Sequence, residues 1–328
     1  MSSRLVHQLI ALTLGVACAA TSAKELKLAD FQPPTHPYVA NVYAPLQAEV
    51  KDKTGGQLSV RLYMGGELGA GPAEQFTRAV NGVADIAFAL PGYTAANFPK
   101  TLLTELPGVI DPVKGTERVL ANLDSLGKEY RRVALLGLWN NAPNAILTAK
   151  KPIRTLADLK GLKIRTPSRN AGLVLEAWGA TPVSMPAPDI YNAMQTGVID
   201  GAMIDGTTLQ TFKLAEVTKY VTQGMKPTVS SFFLVMNRDS FNGLTPQQQA
   251  VMTQAGRTAA LAANKVQLAG ATKALEAFAA LPGKEVITLS AAEAGSFDAA
   301  SDKVTRKIIA EADAAGLGAT DYINALRK

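Results

Sequence analysis

After residue 24 the chain alternates short apolar runs with helical stretches, and this alternation restricts it to an α/β fold. Strand-like runs at 26–31, 58–63 and 84–90 are separated by helical patterns at 37–53 and 74–80. Strands that alternate with helices in this way form βαβ units around parallel sheets. The order β-α-β-α-β therefore predicts one complete α/β unit in the first part of the chain.

A second α/β unit is expected between residues 133 and 204. Its strands are predicted at 133–139, 145–149, 162–165 and 198–204, and its helices at 156–160, 170–178 and 189–195. With 328 residues, of which 47% are hydrophobic, the chain is long enough to bury two cores. The two series therefore predict two similar lobes.

The C-terminal part differs, because one long helical pattern runs from residue 246 to about residue 280. Thr245 is its predicted N-cap, with Pro246 at the first helical position and Gln248 completing a capping box. A helix of this length extends roughly 50 Å at 1.5 Å per residue, so it can lie across both units. Its predicted apolar stripe consists of Val251, Ala255, Ala259, Ala262, Val266 and Ala269.

Residues 1–23 are predicted to be a secretory signal peptide that is cleaved near Ala23. Arg4 supplies a positive charge, and the apolar run at 9–17 is too short to span a bilayer. Cleavage removes Cys18, the single cysteine of the chain, which suits an oxidising compartment such as the periplasm. A lipid anchor at Cys18 is the alternative interpretation, although the residues before it lack the leucine of a lipoprotein signal.

The composition argues against nucleic acid binding and against most catalytic chemistry. The formal net charge is +6, but the basic residues are scattered and form no block with interleaved aromatic residues. After cleavage one histidine, His36, and no cysteine remain, so neither a catalytic triad nor a zinc or copper site is expected. The glycines of residues 65–71 lack the spacing of a nucleotide-binding loop. We therefore expect a binding protein that uses no cofactor and no metal and is not an enzyme.

Several segments together carry a resemblance to a known family. The longest are KPIRTLADLKGLKIRTP at 151–167, GATPV at 179–183 and DIYNAMQTGVIDG at 189–201, with shorter matches at 81–88 and 105–107. They resemble the DctP-type solute-binding proteins of tripartite ATP-independent periplasmic (TRAP) transporters. The resemblance covers nearly all of the chain after residue 24.

This resemblance implies a two-lobed periplasmic binding protein with a ligand cleft between the lobes, crossing hinge strands and a long helix that spans both lobes. Lobe I is then expected to comprise residues 24–142 and 231–270, and lobe II residues 143–230 and 271–328. The implied partners are a small organic acid ligand and the membrane subunits of a TRAP permease driven by an ion gradient. We expect the protein itself to be a monomer.

Arg165 is the main candidate for ligand binding. It ends the strand predicted at 162–165, and ligands of open α/β sheets bind beyond the carboxyl ends of the strands. Its planar guanidinium can pair with both oxygens of a carboxylate. In the family that the chain resembles, the matching arginine is the main carboxylate ligand. The alternative is a surface arginine in a salt bridge.

Asp205 matches a position where that family often has asparagine. An ionised aspartate accepts hydrogen bonds and cannot donate them. We therefore expect it to repel a bare carboxylate and to favour a hydroxyl, an amine or a neighbouring arginine. Arg169, one helical turn on from Arg165, is the candidate arginine. A structural role of Asp205 in a turn with Gly206 is the alternative.

Asn144 marks a second departure, because several relatives that bind sialic acid carry an arginine near this position. Here the run from Trp139 to Asn144 offers amides and one indole, so a second carboxylate on the ligand has no obvious partner. Three weaker candidates, for which packing is the alternative, complete the predicted site. His36 and Tyr93 lie in loops after strands of the first unit, and Phe232 lies where a crossing segment returns to it.

The predicted function is capture of a small monocarboxylate for delivery to the permease. The ligand is expected to be a hydroxy or keto acid or an aromatic acid. One alternative is a sensor subunit of the same fold whose partner is a receptor kinase. The other is an exported lyase or hydrolase that uses carboxylates such as Asp205 or Glu67 for acid–base chemistry.

Overall fold

The computed structural model describes residues 23–328, so the predicted signal peptide, apart from Ala23, and the predicted fate of Cys18 lie outside the described residues. In this part of the chain the strands are β1 (Lys24–Ala29), β2 (Leu58–Tyr63), β3 (Ile86–Ala89), β4 (Val133–Asn140), β5 (Asn144–Thr148), β6 (Lys163–Thr166), β7 (Thr181–Ser184), β8 (Gly201–Asp205), β9 (Tyr220–Gln223), β10 (Ser231–Asn237) and β11 (Glu285–Thr288). The predicted strand at 58–63 is confirmed to the residue, and the other predicted strands are confirmed with ends that differ by up to three residues.

The strands form two sheets, and these define two lobes. The first sheet has the order β2-β1-β3-β10-β4, in which β10 runs antiparallel to both of its neighbours. The second sheet has the order β11-β9-β5-β8-β6-β7, in which β6 is parallel to β7 and β8. The chain crosses from the first sheet to the second between β4 and β5, and it returns between β9 and β10. The predicted α/β class and the crossing strands are therefore confirmed.

Helices cover the sheets of both lobes. Within residues 23–328 they are α1 (Ala44–Lys53), α2 (Gln75–Val80), α3 (Gly115–Ala121), α4 (Arg169–Ala177), α5 (Ile190–Gln195), α6 (Thr208–Thr211), α7 (Leu214–Val217), α8 (Arg238–Asn242), α9 (Pro246–Ala279), α10 (Ala291–Ala314) and α11 (Ala319–Arg327). Helix α1 follows a π-helical turn at Val39–Tyr43, and short 3-10 turns include Pro91–Asn97 and Thr101–Glu105. Among these described helices, none combines the length and apolar character needed to cross a membrane.

Helix α9 is the predicted long helix, and its N-terminus is the predicted capping box. The Thr245 hydroxyl accepts from the Gln248 backbone N–H at 3.2 Å, and the Gln248 side chain accepts from the Thr245 N–H at 3.0 Å. The predicted apolar stripe is wrong in part. Ala255 and Ala259 are buried, but Ala269 is exposed, because the buried face of the helix follows a different row. That row consists of Met252, Ala255, Gly256, Ala259, Ala260, Ala263, Asn264, Gln267, Ala271, Ala274 and Phe278.

Helix α9 spans both lobes, as predicted. Its first half packs into the core of the first sheet through Met252 and Ala263, and its second half packs into the core of the second sheet through Ala274 and Phe278. The first half lies close to β4, since a Cβ on Gly256 would come within 2.5 Å of the Leu136 carbonyl oxygen. Small residues therefore allow the helix to pack directly on the sheet backbone.

The structure also contains a second spanning helix that the sequence did not predict. Phe297 of α10 packs with Trp178 in the second lobe, whereas Ile308 lies in the core of the first lobe. Helix α11 packs through Tyr322 and Leu326 into the same first-lobe core. This packing argues against placing all of residues 271–328 in lobe II. We therefore propose a division of the chain in which α11 belongs to lobe I and the other expected boundaries are kept.

Candidate ligand-binding cleft

A cavity of about 420 Å³, counted to its open mouth, lies between the two lobes. Side chains from both sheets and from α9 line it. They are Phe31, Gln32, His36, Leu90, Tyr93, Asn141, Arg165, Ala187, Ile204, Asp205, Thr207, Thr208, Thr211, Phe212, Ser230, Phe232 and Gln267. Five of the eight predicted site residues are among them, and Arg169, Asn144 and Trp139 are not. Within residues 23–328 no cluster of three or more metal-ligating side chains occurs.

Arg165 is buried at the carboxyl end of β6, with 1% of its surface exposed. Its Nε donates to the Met185 carbonyl oxygen at 2.8 Å, and Nη1 lies 3.5 Å from the carbonyl oxygen of Met203. Its Nη2 lies 3.4 Å from the hydroxyl of Tyr93. Among the described residues, no carboxylate lies within 4.0 Å of the guanidinium. The predicted alternative of a surface arginine in a salt bridge is therefore wrong.

The guanidinium of Arg165 is a buried charge without a paired anion. Burial lowers the pKa of Arg165, and the nearby Tyr93, Glu105 and Asp205 act in the opposite direction. Arginine nevertheless stays protonated in proteins. Removing an ion from water costs several kcal/mol unless a counter-charge and hydrogen bonds compensate. Two of its five N–H groups have no acceptor among the described residues, so the site is suited to an anion.

Asp205 ends β8 and is also buried, with 3% of its surface exposed. Its Oδ2 accepts from the Asn141 amide at 2.9 Å, and its Oδ1 accepts from the Thr207 backbone N–H at 2.9 Å. The Thr207 hydroxyl donates to the same Oδ1. Burial raises the pKa of the carboxyl, while the hydrogen bonds from Thr207 and Asn141 oppose that shift.

The expected arginine partner of Asp205 is not present in the described structure. Arg169 is the first residue of α4 and is exposed, and it lines a separate groove outside the cavity with Ser168 and Glu176. The helical spacing invoked for Arg169 does not apply, because Arg165 lies in a strand and the chain turns at Ser168 before the helix begins. The predicted turn role of Asp205 is real, since its Oδ1 accepts from a backbone N–H two residues on.

The amide that lines the cavity is Asn141 and not Asn144. Asn144 begins β5 and pairs with Asp205 in the sheet register, and its side chain bonds Asn141 at 3.1 Å. Asn141 lies in the short crossing between the sheets, where its Nδ2 reaches Asp205 and its Oδ1 accepts from Ser230 N–H at 2.7 Å. Asn144 therefore supports the site from behind the cavity.

Aromatic side chains of the first lobe form one wall of the cavity. Phe232 on β10 stacks on Phe88 with ring centroids 5.4 Å apart, and Phe31 lies 6.0 Å from Tyr93. The predicted contact of Trp139 with ligand is not supported, because Trp139 is buried behind this wall and donates from Nε1 to the Tyr38 hydroxyl at 3.0 Å. The wall offers an apolar surface to a ligand in the same cavity as the two charged groups.

His36 lies in the cavity wall as a neutral imidazole. Burial lowers the pKa of His36 to about 4. Its Nδ1 accepts from the Tyr38 backbone N–H at 3.2 Å, so the ring proton is on Nε2. The Gln32 amide lies 3.2 Å from that Nε2, and Gln32 Oε1 is buried without a partner among the described residues. A rotation of the Gln32 amide would let its oxygen accept the imidazole proton.

The lobes touch each other beside the cavity. Tyr93 of the first lobe accepts from the Ala187 backbone N–H at 2.9 Å, and Glu105 accepts from the Ser168 hydroxyl at 2.5 Å. Gly92 packs against the same turn, where a Cβ would lie 2.9 Å from both the Pro167 carbonyl oxygen and Ser168 Cβ. These contacts hold the lobes together over the cavity.

Sequence reasoning missed several lining residues, among them Gln32, Asn141, Thr207, Phe212 and Gln267. Gln267 carried a usable signal, because it is a polar residue on the buried, alanine-rich face of α9. Its amide donates to the Tyr38 hydroxyl at 3.0 Å, and its oxygen lies 3.1 Å from the Thr207 hydroxyl. Phe212 and Asn141 carried no such signal, since only the folded chain brings them to the cleft.

Comparison with known proteins identifies a family profile and curated relatives that match this chain. A family profile described as bacterial extracellular solute-binding protein, family 7 (DctP), matches residues 28–312. A curated solute-binding protein of Albidiferax ferrireducens is 30% identical over 64% of this chain and 63% of its own length. The chain therefore spans less than two thirds of that curated relative.

Two solved structures are similar over almost their whole length. One is a TRAP solute-binding protein from Rhodoferax ferrireducens T118 in complex with copurified benzoate. Its sequence is 28% identical to this chain and the TM-score is 0.87. The superposition covers 93% of this chain and 97% of the solved one. The other, from an unidentified marine microbe, is a TRAP solute-binding protein specific for aromatic acids in complex with 3-hydroxybenzoate. It is 26% identical, with a TM-score of 0.87 and the same coverage.

Proposed function

The chain belongs to the DctP family of bacterial extracellular solute-binding proteins, as its resemblance predicted, and on this premise we propose that it captures a small organic monocarboxylate for a TRAP transporter. The observation that carries the proposal is Arg165. A buried guanidinium without a protein carboxylate is costly by itself, and a ligand carboxylate supplies the missing counter-charge and acceptors.

We propose one carboxylate because the cavity lining offers one cation. Among the lining residues of the described chain, Arg165 is the only arginine or lysine, and His36 is neutral. The buried Asp205 adds a negative charge on the same side of the cavity. A second ligand carboxylate would have to lose its hydration without a partner and next to that charge.

The aromatic wall supports a ligand with an apolar or aromatic body. Phe31, Tyr93 and Phe232 line the cavity together with the charged groups, and ring pairs in offset or tilted packing are favourable beyond simple burial. Benzoate and 3-hydroxybenzoate in the two similar structures are monocarboxylates of this kind. We therefore retain hydroxy, keto and aromatic acids as the ligand class.

The cellular setting is part of the same proposal. Family members of known structure are described as TRAP solute-binding proteins, so we propose export to the periplasm, with the signal peptide cleaved near Ala23. We also propose that the protein acts as a monomer that delivers its ligand to TRAP permease subunits. We propose a transport role without catalysis.

A thermal-shift comparison of matched acids tests the proposal. Benzoate is paired with isophthalate, phenylacetate with phenylmalonate, and propionate with succinate. The monoacid of each pair is expected to raise Tm more, because binding to the folded state raises Tm with ligand affinity. Preferential stabilisation by the diacids would contradict the ligand class, and no stabilisation by any acid would contradict carboxylate capture itself.

A further inference from the structure

We propose that the ligand carries a hydrogen-bond donor, a hydroxyl or an ammonium, on the carbon next to its carboxylate, and that Asp205 accepts from this donor. The inference rests on the proposed function and narrows its ligand class. It favours hydroxy acids over keto acids and over unsubstituted acids. Nothing in the ligands of the two similar structures requires it, since neither benzoate nor 3-hydroxybenzoate has a donor at that carbon.

The hydrogen bonds of Asp205 leave one acceptor position unused. An ionised carboxylate has about four lone-pair sites. Two sites on Oδ1 are occupied by the N–H and the hydroxyl of Thr207, and one site on Oδ2 is occupied by the Asn141 amide. The second site on Oδ2 has no donor among the described residues. Because Asp205 lines the cavity, a ligand is the available source of the fourth donor.

The surroundings of Asp205 define it as an acceptor and not as a donor. Three donors already point at its two oxygens, and hydrogen bonds of this kind favour the ionised carboxylate over the protonated form. Arg165 lies close enough for its charge to interact with that of Asp205. A ligand without a donor would leave the carboxylate of Asp205 incompletely solvated beside the carboxylate of the ligand.

Arg165 and Asp205 lie on neighbouring strands and line the same cavity, which brings the donor near the ligand carboxylate. Arg165 Nη1 reaches the carbonyl oxygen of Met203 at 3.5 Å. Asp205 follows Met203 two residues later on β8, and side chains two residues apart on a strand face the same side of the sheet. Because β6 and β8 are neighbouring strands and both side chains line the cavity, a donor that reaches Asp205 lies close to a carboxylate held by Arg165. A substituent on the adjacent carbon is the arrangement that we propose.

Calorimetric titration of the whole exported chain with matched acids tests the inference. The aromatic series is mandelate, phenylacetate, phenylglyoxylate and phenylglycine, and the small series is lactate, propionate, pyruvate and alanine. The hydroxy acid or the amino acid of a series is expected to bind roughly 10- to 100-fold more tightly than its unsubstituted and keto counterparts. Comparison of the hydroxy and amino acids then identifies the donor.

The variant Asp205→Asn provides a readout that a structural role of Asp205 would not give. The amide keeps an acceptor for Thr207 and gains a donor, so the preference is expected to shift from the hydroxy acid towards the keto acid. Asp200→Asn is the matched control. Asp200 accepts from the Lys163 backbone N–H at 2.8 Å just before the same strand, outside the cavity, so its replacement is expected to leave the preference unchanged.

The outcomes separate this inference from the proposed function. Equal affinity of the wild-type protein for donor-bearing and donor-free acids would overturn the inference and leave carboxylate capture intact. The same holds if Asp205→Asn is folded by circular dichroism and keeps the wild-type preference. Failure of both series to bind would overturn the proposed function and the inference together. If Asp205→Asn does not fold, the ranking of the acids by the wild-type protein alone decides.

Discussion

The two lobes contribute opposite chemistry to the same cavity. The second lobe supplies the charged groups, Arg165 and Asp205, at the carboxyl ends of neighbouring parallel strands. The first lobe supplies Phe31, Phe232 and the neutral His36, together with Tyr93. This difference indicates that the two lobes bind different parts of the ligand. We infer that a ligand carboxylate engages the second lobe and that the first lobe then covers the apolar body and excludes water.

The largest expected effect tests the charged side of this comparison. Arg165→Ala should weaken binding of the preferred acid by between about 30-fold and several thousandfold, because losing one partner of a buried charge pair costs roughly 2 to 5 kcal/mol. Arg165→Lys should recover part of the affinity, since lysine restores the charge but not two parallel hydrogen bonds. Calorimetric titration measures the dissociation constants.

Arg169→Ala is the matched control for Arg165→Ala. It removes an exposed arginine four residues away that lies outside the cavity, so affinity should stay within about twofold. A folded Arg165→Ala protein with near-wild-type affinity would remove the charged lobe from ligand capture. Circular dichroism monitors folding, and we expect the protein to stay folded, because removal of a buried charge without a paired anion offsets the loss of the hydrogen bonds of Arg165.

The next effect tests whether the first lobe must close on the second. Gly92→Ala places a Cβ about 2.9 Å from two atoms of the Pro167–Ser168 turn when the lobes are in contact. Overpacking of this kind costs typically about 1–3 kcal/mol, so affinity should fall about 5- to 100-fold while the stability of each lobe is kept. Small-angle scattering should show a smaller ligand-induced decrease in the radius of gyration than in wild type.

Gly295→Ala in α10 is the control for Gly92→Ala. A Cβ there meets no atom within 4 Å, so binding should be unchanged. Wild-type affinity of the Gly92→Ala protein would mean that the observed lobe contact is not needed in the bound state.

The smallest expected effect on ligand affinity concerns Glu105, which links the lobes. Burial raises the pKa of Glu105 from 4.5 to about 7, while the Ser168 and Ser231 hydrogen bonds oppose the shift. Between pH 4.5 and 7 the folded chain thus binds more protons than the unfolded chain. The free energy of unfolding should therefore fall as pH rises through this window, by at most about 3 kcal/mol from this group.

Glu105→Gln should reduce this pH dependence of Tm and change affinity by about twofold or less. Asp30→Asn is the comparison variant, because burial also raises the pKa of Asp30 to about 7. The donors to its carboxylate, the Tyr43 hydroxyl and the Gln32 backbone N–H, both lie within the first lobe. If Tm measured from pH 5 to 8 has the same slope in Glu105→Gln as in wild type, the assignment to Glu105 is wrong.

Local signals predicted much of the fold. The capping box of α9 and the strand β2 were placed correctly because their patterns depend on neighbouring residues in the sequence. Strands β7, β9 and β11 were missed, since each has four residues and is defined by pairing with another strand, and the segment of β10 was expected only as a crossing segment. The second spanning helix, α10, was missed as well, although its N-cap Ser290 accepts from the Glu293 N–H.

The candidate site was predictable where a strand, or the loop that follows it, fixed the position. Arg165 and Asp205, at the carboxyl ends of their strands, reach the cavity as expected, and so do His36, Tyr93 and Phe232. Asn141 replaced Asn144 there because the crossing between the two sheets decides which amide faces the cleft. Arg169 was misplaced because the first turn of α4 carries it to the surface. The tertiary structure determines whether each of these side chains lines the cavity, and local sequence patterns do not contain that information.

The attachment of α9 has a mechanical consequence for any motion of the lobes. The helix is held closely on β4 through Gly256, whereas its far end meets the second lobe through Ala274 and Phe278. From Asn264 to Ala279 the helix extends roughly 22 Å, so a rotation of about 10° at that middle segment displaces its end by roughly 4 Å. A small rotation of α9 near Gln267, a residue of the cavity wall, would thus be amplified into a larger displacement of the second lobe.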